Sequence, residues 1–124
     1  MPVTAAQRQH WQQRLQAEQA AIARREVAAR GLARQAAHAL YQCWPAVQGI
    51  WLFGSLSEGR FAASSDVDLA VAGLPPQELL RAMALLEPLQ DQIAIDLVRL
   101  EDLDPHWQER IHARGEQLDP PQPR

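Results

Sequence analysis

Residues 54–71 read GSLSEGRFAASSDVDLAV. The segment joins two apolar runs that predict buried strands, Gln48 to Phe53 before it and Val67 to Val71 at its end. Gly54 directly follows the first run, and a Gly-Ser pair at such a place lets the backbone approach a ligand closely. If Ser55 opens a short helix, the free amides of that helix end favour a phosphate. The Ser-x-x-Glu spacing that follows Gly54 also fits a capping box, which would merely start a helix.

Two carboxylates are predicted to share one face of the second strand. Asp66 and Asp68 are two residues apart, so in extended chain their side chains leave the same side while their apolar neighbours leave the other. A third strand is predicted from about Gln92 to Val98, where Asp96 is the lone acid in an apolar run. Burying Asp96 without a partner would be costly.

The three acids Asp66, Asp68 and Asp96 meet on one side of the sheet if the second and third strands are neighbours. Three like charges repel, and hard divalent cations such as Mg²⁺ relieve that repulsion most simply. The sequence therefore predicts a two-metal phosphoryl-transfer site. Two alternatives stay open, since Asp-x-Asp alone is also typical of a surface turn and Asp96 could pair structurally with Arg99.

The order Gly-Ser, ten residues, Asp-x-Asp and an apolar strand resembles the DNA polymerase beta-like nucleotidyltransferase superfamily. The resemblance covers about Ile50 to Leu100, and IAIDLV at residues 93–98 is similar to the strand of its third carboxylate. It implies that Asp66, Asp68 and Asp96 are catalytic residues that bind two Mg²⁺ ions. By the same resemblance Asp96 helps to deprotonate the attacking hydroxyl.

The nucleotide-binding residues follow from the same resemblance, which implies that Gly54 and Ser55 hold the triphosphate of ATP. Many small members of the superfamily carry Arg directly after Gly-Ser, whereas this chain has Leu56. We add Ser65 and Arg60 to the predicted nucleotide-binding set, with Arg60 as a nearby positive charge.

The short chain, 124 residues long, is similar to the MNT antitoxins of HEPN/MNT toxin–antitoxin pairs. That resemblance implies transfer of AMP from ATP to a Tyr of a cognate HEPN ribonuclease toxin. Two further hypotheses stay open: a non-catalytic antitoxin that binds its partner through a long helix, and a nucleotidyltransferase acting on an aminoglycoside-like small molecule. Trp11 lies on the sparsely apolar part of that helix, where an aromatic residue can anchor a partner or pack on its own domain.

The remaining elements indicate an α+β fold. A long helix is predicted from about Thr4, as N-cap, to Tyr41, with Gly31 as a possible break. Two shorter helices are predicted, from Pro75-Pro76 to near Pro88 and from Asp104-Pro105 to Gly115. We expect a small mixed sheet with helices packed on one face, preceded by the long helix. The domain plan is one domain, with a helical extension at 1–45, a nucleotidyltransferase core at 46–118 and a frayed tail at 119–124.

Composition narrows the chemistry and the setting. All twelve basic residues are Arg, so a P-loop lysine and a Schiff-base lysine are excluded. Residues 1–60 carry seven Arg against three acids, and residues 61–124 carry five Arg against twelve acids. No membrane span, no signal peptide and no direct binding of nucleic acid are expected, and the single Cys43 fits a reducing cytoplasm.

Overall fold

The computed structural model of the protein describes residues 2–120; the part of the predicted tail at 121–124 lies outside this range. Its helices and strands are, in chain order, α1 (Ala5–Cys43), β1 (Gly49–Phe53), β2 (Val67–Ala72), α2 (Leu79–Leu86), β3 (Ile95–Arg99), α3 (Pro105–Arg114) and β4 (Glu116–Leu118). Short 3-10 turns flank α2 and precede α3. None of the helices in the described range is long and apolar enough to cross a membrane.

The long N-terminal helix is confirmed, and it runs through Gly31 without a break. Thr4 forms the capping box: its Oγ1 accepts from the Gln7 amide at 3.1 Å, and its own amide donates to Gln7 Oε1 at 2.9 Å. Residues 5–20 are exposed throughout. The second half of α1 packs on the sheet through a stripe at three- and four-residue steps, Ala29, Leu32, Ala33, Ala36, Ala37 and Leu40.

The sheet has the strand order β3-β2-β1-β4. Strand β1 pairs antiparallel with β2 and with β4, whereas β2 and β3 are parallel. Because parallel neighbours need a crossover connection, the segment between β2 and β3 contains a helix, α2. The pairing of β2 with β3, on which the predicted meeting of the carboxylates depends, is present.

One strand boundary and one additional strand differ from the predictions. β3 begins at Ile95 rather than Gln92, because the chain bends before it and the Gln90 side-chain oxygen accepts from the Ile95 amide at 3.1 Å. β4 was not predicted, because Glu116–Leu118 is short and polar and gains its strand geometry only by pairing with β1.

Two hydrophobic clusters cover the two faces of the sheet. The first lies under α1 and α2 and contains the inward side chains Ile50, Leu52, Leu69, Val71 and Leu97. The second lies under α3, where Ile111 packs on Ala70, Ala72 and Leu100, and the His112 ring meets Trp51 edge-on at 5.0 Å. The α+β fold with a mixed sheet is confirmed. The predicted placement of the helices on one face holds for α1 and α2, whereas α3 packs on the other face, which also carries the acidic side chains.

Helix α3 has the predicted ends. Asp104 caps it, since its Oδ1 accepts from the Trp107 amide at 2.9 Å, and Pro105 occupies the first turn. The last helical residue is Arg114, directly before Gly115. A side chain at Gly115 would meet Ile111 O at 2.5 Å and Leu52 O at 3.1 Å, so this glycine allows α3 to approach β1 closely.

We predict that Gly31→Ala stabilises the protein by about 0.5–1 kcal/mol, the difference in helix propensity between the two residues. A Cβ at Gly31 would meet no atom within 4 Å, so no packing cost opposes the gain. Urea unfolding measures the change. Gly115→Ala is the control, and it should destabilise because its Cβ has no room. A loss of stability in Gly31→Ala would show that the helix needs glycine there.

Candidate active site

Parallel pairing of β2 with β3 sets the site. Asp68 and Asp96 are register partners, one position along from the pair Val67 and Ile95. Neighbouring strands lie about 4.8 Å apart, and paired residues direct their side chains to the same face. Asp66 stands two residues before Asp68, just ahead of β2. The structure therefore brings the three predicted carboxylates to one end of two adjacent strands.

Asp68 is the central member of this group. It is half-buried, whereas Asp66 and Asp96 are exposed. Burial raises the pKa of Asp68 to about 6, and the negative charges of Asp96 and Asp66 add to the rise. The Asp68 carboxyl is therefore a group for which a neighbouring positive charge would be strongly favourable.

The donor chemistry of the three carboxylates fits Mg²⁺, which prefers carboxylate oxygens. Across residues 2–120 no group of three or more His, Cys, Asp or Glu side chains is placed so that it could hold a metal ion. The alternative structural pairing of Asp96 with Arg99 is not formed, since Arg99 donates to Leu74 O at 2.7 Å and to Asp102 at 2.6 Å.

Gly54 lies against Asp68. The antiparallel register pairs Phe53 with Asp68, so the turn after β1 starts beside the carboxylate. Gly54 has φ +78°, and a Cβ added there would overlap Asp68 Oδ2. Only glycine fits at this position, so Gly54 allows the backbone of the turn and the Asp68 carboxylate to lie directly against each other.

The segment Gly54–Gly59 forms turns rather than the short helix considered for Ser55. The Glu58 amide donates to Gly54 O at 3.0 Å, and the Arg60 amide donates to Ser55 O at 2.8 Å. The Glu58 carboxylate forms ion pairs with arginine side chains and does not cap a helix. Phosphate binding here would use the amides of a glycine turn and neighbouring side chains.

Ser65 and Arg60 have separate surroundings. Ser65 closes a turn directly before Asp66, since its Oγ accepts from the Ala62 amide at 2.9 Å and its own amide donates to Ala62 O at 3.1 Å. The Arg60 side chain is exposed and reaches Glu58 Oε2 at 3.4 Å. Ser65 thus shapes the turn that leads into Asp66, and Arg60 belongs to the Glu58 side of the Gly54 turn.

Sequence reasoning missed Arg25 of α1. Its guanidinium donates to Ser65 O at 3.1 Å and to Gln92 O at 3.3 Å, and it lies 6.0 Å from the centre of the Phe61 ring. One side chain therefore ties together the segments that lead into Asp66 and into β3. The available signal was an arginine on the buried stripe of α1, between Ile22 and Ala29.

A second missed group surrounds Glu58. Its carboxylate lies 2.9 Å from Arg110, 3.4 Å from Arg60 and 3.6 Å from Arg114, and its side chain is 14% exposed. The hydrogen bond and charge of Arg110, together with Arg60, hold the pKa of Glu58 below its ordinary value. The four-residue spacing of Arg110 and Arg114 on α3 was the only sequence signal for this cluster.

Comparison with known proteins shows which family and which solved structures this chain is similar to. Residues 36–119 match the family model described as polymerase beta nucleotidyltransferase. A chain of a toxin-antitoxin crystallised with AMP-PNP is 30% identical, with a TM-score of 0.56, over 68% of this chain and 69% of that one. A chain of a mutant toxin-antitoxin MntA-HpeT is also 30% identical, with a TM-score of 0.54 over 68% of each chain.

A candidate nucleotidyltransferase from Sulfolobus solfataricus shares the fold at 17% identity, with a TM-score of 0.52 over 74% of this chain and 80% of that one. A search among curated protein sequences gave no match.

Gly54→Ala should destabilise the protein by about 2 kcal/mol or more, because the new Cβ must displace the Asp68 carboxylate and accept a left-handed backbone. Gly59→Ala is a matched control, since Gly59 has φ +75° but its Cβ would meet nothing within 4 Å. It should cost only the backbone strain, about 1 kcal/mol. Urea unfolding of both variants gives the difference. Equal losses would contradict the close approach of Gly54 to Asp68.

Asp68→Asn should raise the stability of the metal-free protein above pH 6. Because the pKa of Asp68 is about 6 in the fold against an ordinary 3.8, the folded state loses stability as the pH rises between these values. Allowing for solvent screening of a half-exposed group, the penalty above pH 6 is on the order of 1 kcal/mol, or about 4 °C in melting temperature.

Thermal melts in EDTA at pH 7.5 and pH 4 test this expectation. The gain should be present at the higher pH and small at the lower one. Asp91→Asn, the same change at an exposed site, should leave both melting temperatures unchanged. A lower melting temperature for Asp68→Asn at pH 7.5 would show that the Asp68 carboxylate stabilises the fold instead.

Proposed function

Because the chain belongs to the polymerase beta nucleotidyltransferase family, as a minimal MNT-type member, we propose that it transfers AMP from ATP to an acceptor hydroxyl. The observation that carries the proposal is the register pairing of Asp68 with Asp96, with Asp66 beside them and the Gly54 turn against Asp68. This arrangement puts a carboxylate group and an open backbone turn next to each other. A metal-bound triphosphate needs both.

In this proposal Asp66, Asp68 and Asp96 would hold two Mg²⁺ ions, which would supply positive charge for the triphosphate and for the leaving pyrophosphate. Gly54 and Ser55 bind phosphate oxygens through the turn, and Ser65 keeps Asp66 in place. The acceptor oxygen forms a bond to the α-phosphorus, the bond from that phosphorus to the bridging oxygen breaks, and Asp96 takes the hydroxyl proton.

The acceptor in this proposal is a Tyr of a cognate HEPN toxin. Support comes from the relatives at 30% identity, which are chains of toxin-antitoxin structures, one of them crystallised with AMP-PNP. An antitoxin that acts in this way would modify its partner covalently and would need only transient contact with it.

A binding function is the second candidate, because α1 presents an uncovered apolar surface. Trp11 and Leu15, one helical turn apart, are 59% and 51% exposed. A groove of about 720 Å³ runs between α1 and the loop before β3, lined among others by Arg24, Ala28 and Gln92, and it includes none of the three carboxylates. A partner seated on α1 would therefore contact a surface separate from the carboxylates.

Incubation of the protein with Mg²⁺, ATP and its co-purifying partner, followed by intact mass spectrometry, tests the enzymatic proposal. The partner should gain the mass of AMP with the wild-type chain. Asp68→Asn should reduce the rate at least about 100-fold, the scale of losing one preorganised charge at a reaction centre. Glu87→Gln, at an exposed acid outside the α1 groove, should leave the rate unchanged.

Association of the two proteins, measured by isothermal titration calorimetry, separates the two candidate functions. Trp11→Ala should weaken association and leave the carboxylate site intact, whereas Asp68→Asn should leave association intact. If folded wild-type protein binds the partner but the partner gains no mass with ATP and Mg²⁺, the enzymatic proposal is overturned and the contact mechanism is favoured.

A further inference from the structure

Glu58 and three arginines form a charged cluster on the turn that follows β1. The carboxylate faces Arg110 at 2.9 Å, Arg60 at 3.4 Å and Arg114 at 3.6 Å. Three positive charges against one negative charge leave an excess of two positive charges at this place. Glu58 therefore neutralises only part of the positive charge of the cluster, and the remainder can attract a further anion.

The cluster is next to the carboxylate site. A small cavity lies between the turn and the end of α3. Its lining includes Gly54 and Glu58 of the turn and Arg110 and Arg114 of α3. Gly54 belongs to both surroundings, because it lies against the Asp68 carboxylate and also lines this cavity. A chain of phosphates that begins at the carboxylates and crosses Gly54 therefore leads to the arginines.

The α3 end is fixed to the turn. Ser57 Oγ donates to Arg114 O at 2.6 Å, and the Gly115 backbone packs against Leu52 O of β1. The arginines are therefore carried by a helix that is anchored beside Gly54. A fixed cation loses little conformational entropy when an anion binds to it.

Arg110 has bonding capacity left over. Its Nε is buried and has no hydrogen-bond partner, while one of its terminal nitrogens bonds Glu58. Trp107 supports the guanidinium from one side, 5.6 Å from the ring centre. A phosphate offers more acceptor oxygens than a carboxylate, so it can use guanidinium donors that Glu58 leaves free.

The turn itself supplies no cation at the position after Gly54-Ser55. Leu56 is fully buried and belongs to the hydrophobic core under α1. A charged side chain could not take its place without losing that packing. Positive charge for a ligand at Gly54 must therefore come from elsewhere in the fold, and α3 is the helix that supplies it.

We propose that Arg110 and Arg114, together with Arg60, bind the terminal phosphates of the nucleoside triphosphate, and that Glu58 occupies this place until the phosphates displace it. The inference rests on the proposed function for the identity of the ligand. It assigns α3 to substrate binding and explains how Leu56 is accommodated. Glu58 acts as an internal competitor that keeps the arginines paired and oriented between substrate molecules.

Titration with inorganic tripolyphosphate and with ATP, by isothermal titration calorimetry, tests this site. Arg110→Gln should weaken binding of both about tenfold or more, the loss expected for one charge-assisted hydrogen bond. Glu58→Gln should strengthen binding of both, because the competing carboxylate is removed. Arg81→Gln, which removes an exposed arginine paired with Glu78 on α2, is the matched control and should change neither affinity.

Arg114→Gln provides a second variant in case Arg110→Gln disturbs the fold, because the Arg114 side chain is 65% exposed and makes the longest of the three ion pairs. It should also weaken tripolyphosphate binding, and circular dichroism confirms that each variant is folded. Unchanged affinity in folded Arg110→Gln and Arg114→Gln, or weaker binding by Glu58→Gln, would overturn the inference.

The two proposals fail separately. If the wild-type chain binds ATP and transfers AMP while the arginine variants bind equally well, the arginine site is wrong and the transferase function stands. If no AMP is transferred but tripolyphosphate binding still depends on Arg110 and Glu58, the anion site stands and the transferase proposal is overturned.

Discussion

The parallel register of β2 and β3 places Asp68 beside Asp96, and the candidate site depends on that pairing of two acids. Burial raises the pKa of Asp68 to about 6 and the charges of Asp96 and Asp66 add to the rise, so the fold holds the pair together against both costs. The favourable term is the apolar packing of the same two strands, in which Leu69 and Leu97 join the core under α1 and α2. The hydrophobic face of the strands thus fixes the position of acids on the other face.

Arginine side chains hold the edges of this acidic site. Arg25 reaches from α1 to the backbone before β2 and before β3, while Arg110 and Arg114 reach from α3 to the turn after β1. Since both helices contribute, the site is built between the long helix and the last helix of the chain. The turn at Gly54 separates its negative part from its positive part, which is the distribution of charge that a metal-bound triphosphate would match.

The long helix connects that site with the outer surface. From Ala29 to Leu40 its apolar stripe is part of the core, and before Ala21 all its described residues are exposed. Arg25 lies at the boundary between the two parts and bonds the segments that lead into Asp66 and into β3. The same helix therefore carries both the exposed residues and a side chain that holds the candidate site.

The sequence alone determined the features that depend on neighbouring residues. Alternation put Asp66 and Asp68 on one side of a strand, the helix-forming composition and Thr4 gave α1 its start, and Asp104 with Pro105 gave α3 its start. The Gly-Ser spacing before Asp-x-Asp indicated the fold and the place of the candidate site. These patterns are readable because backbone periodicity and caps act over three or four residues.

Only the tertiary structure decided which distant groups meet. β4 has no apolar pattern and exists through its pairing with β1, and α3 came to lie on the acidic face because Ile111 fits over the small side chains Ala70 and Ala72. Arg25 meets Ser65 and Gln92, and Glu58 meets Arg110, across 40 or more residues of chain. The type of a side chain limits which groups it can bind. Which residue it actually contacts depends on how the helices pack on the sheet, and that packing is a property of the whole chain.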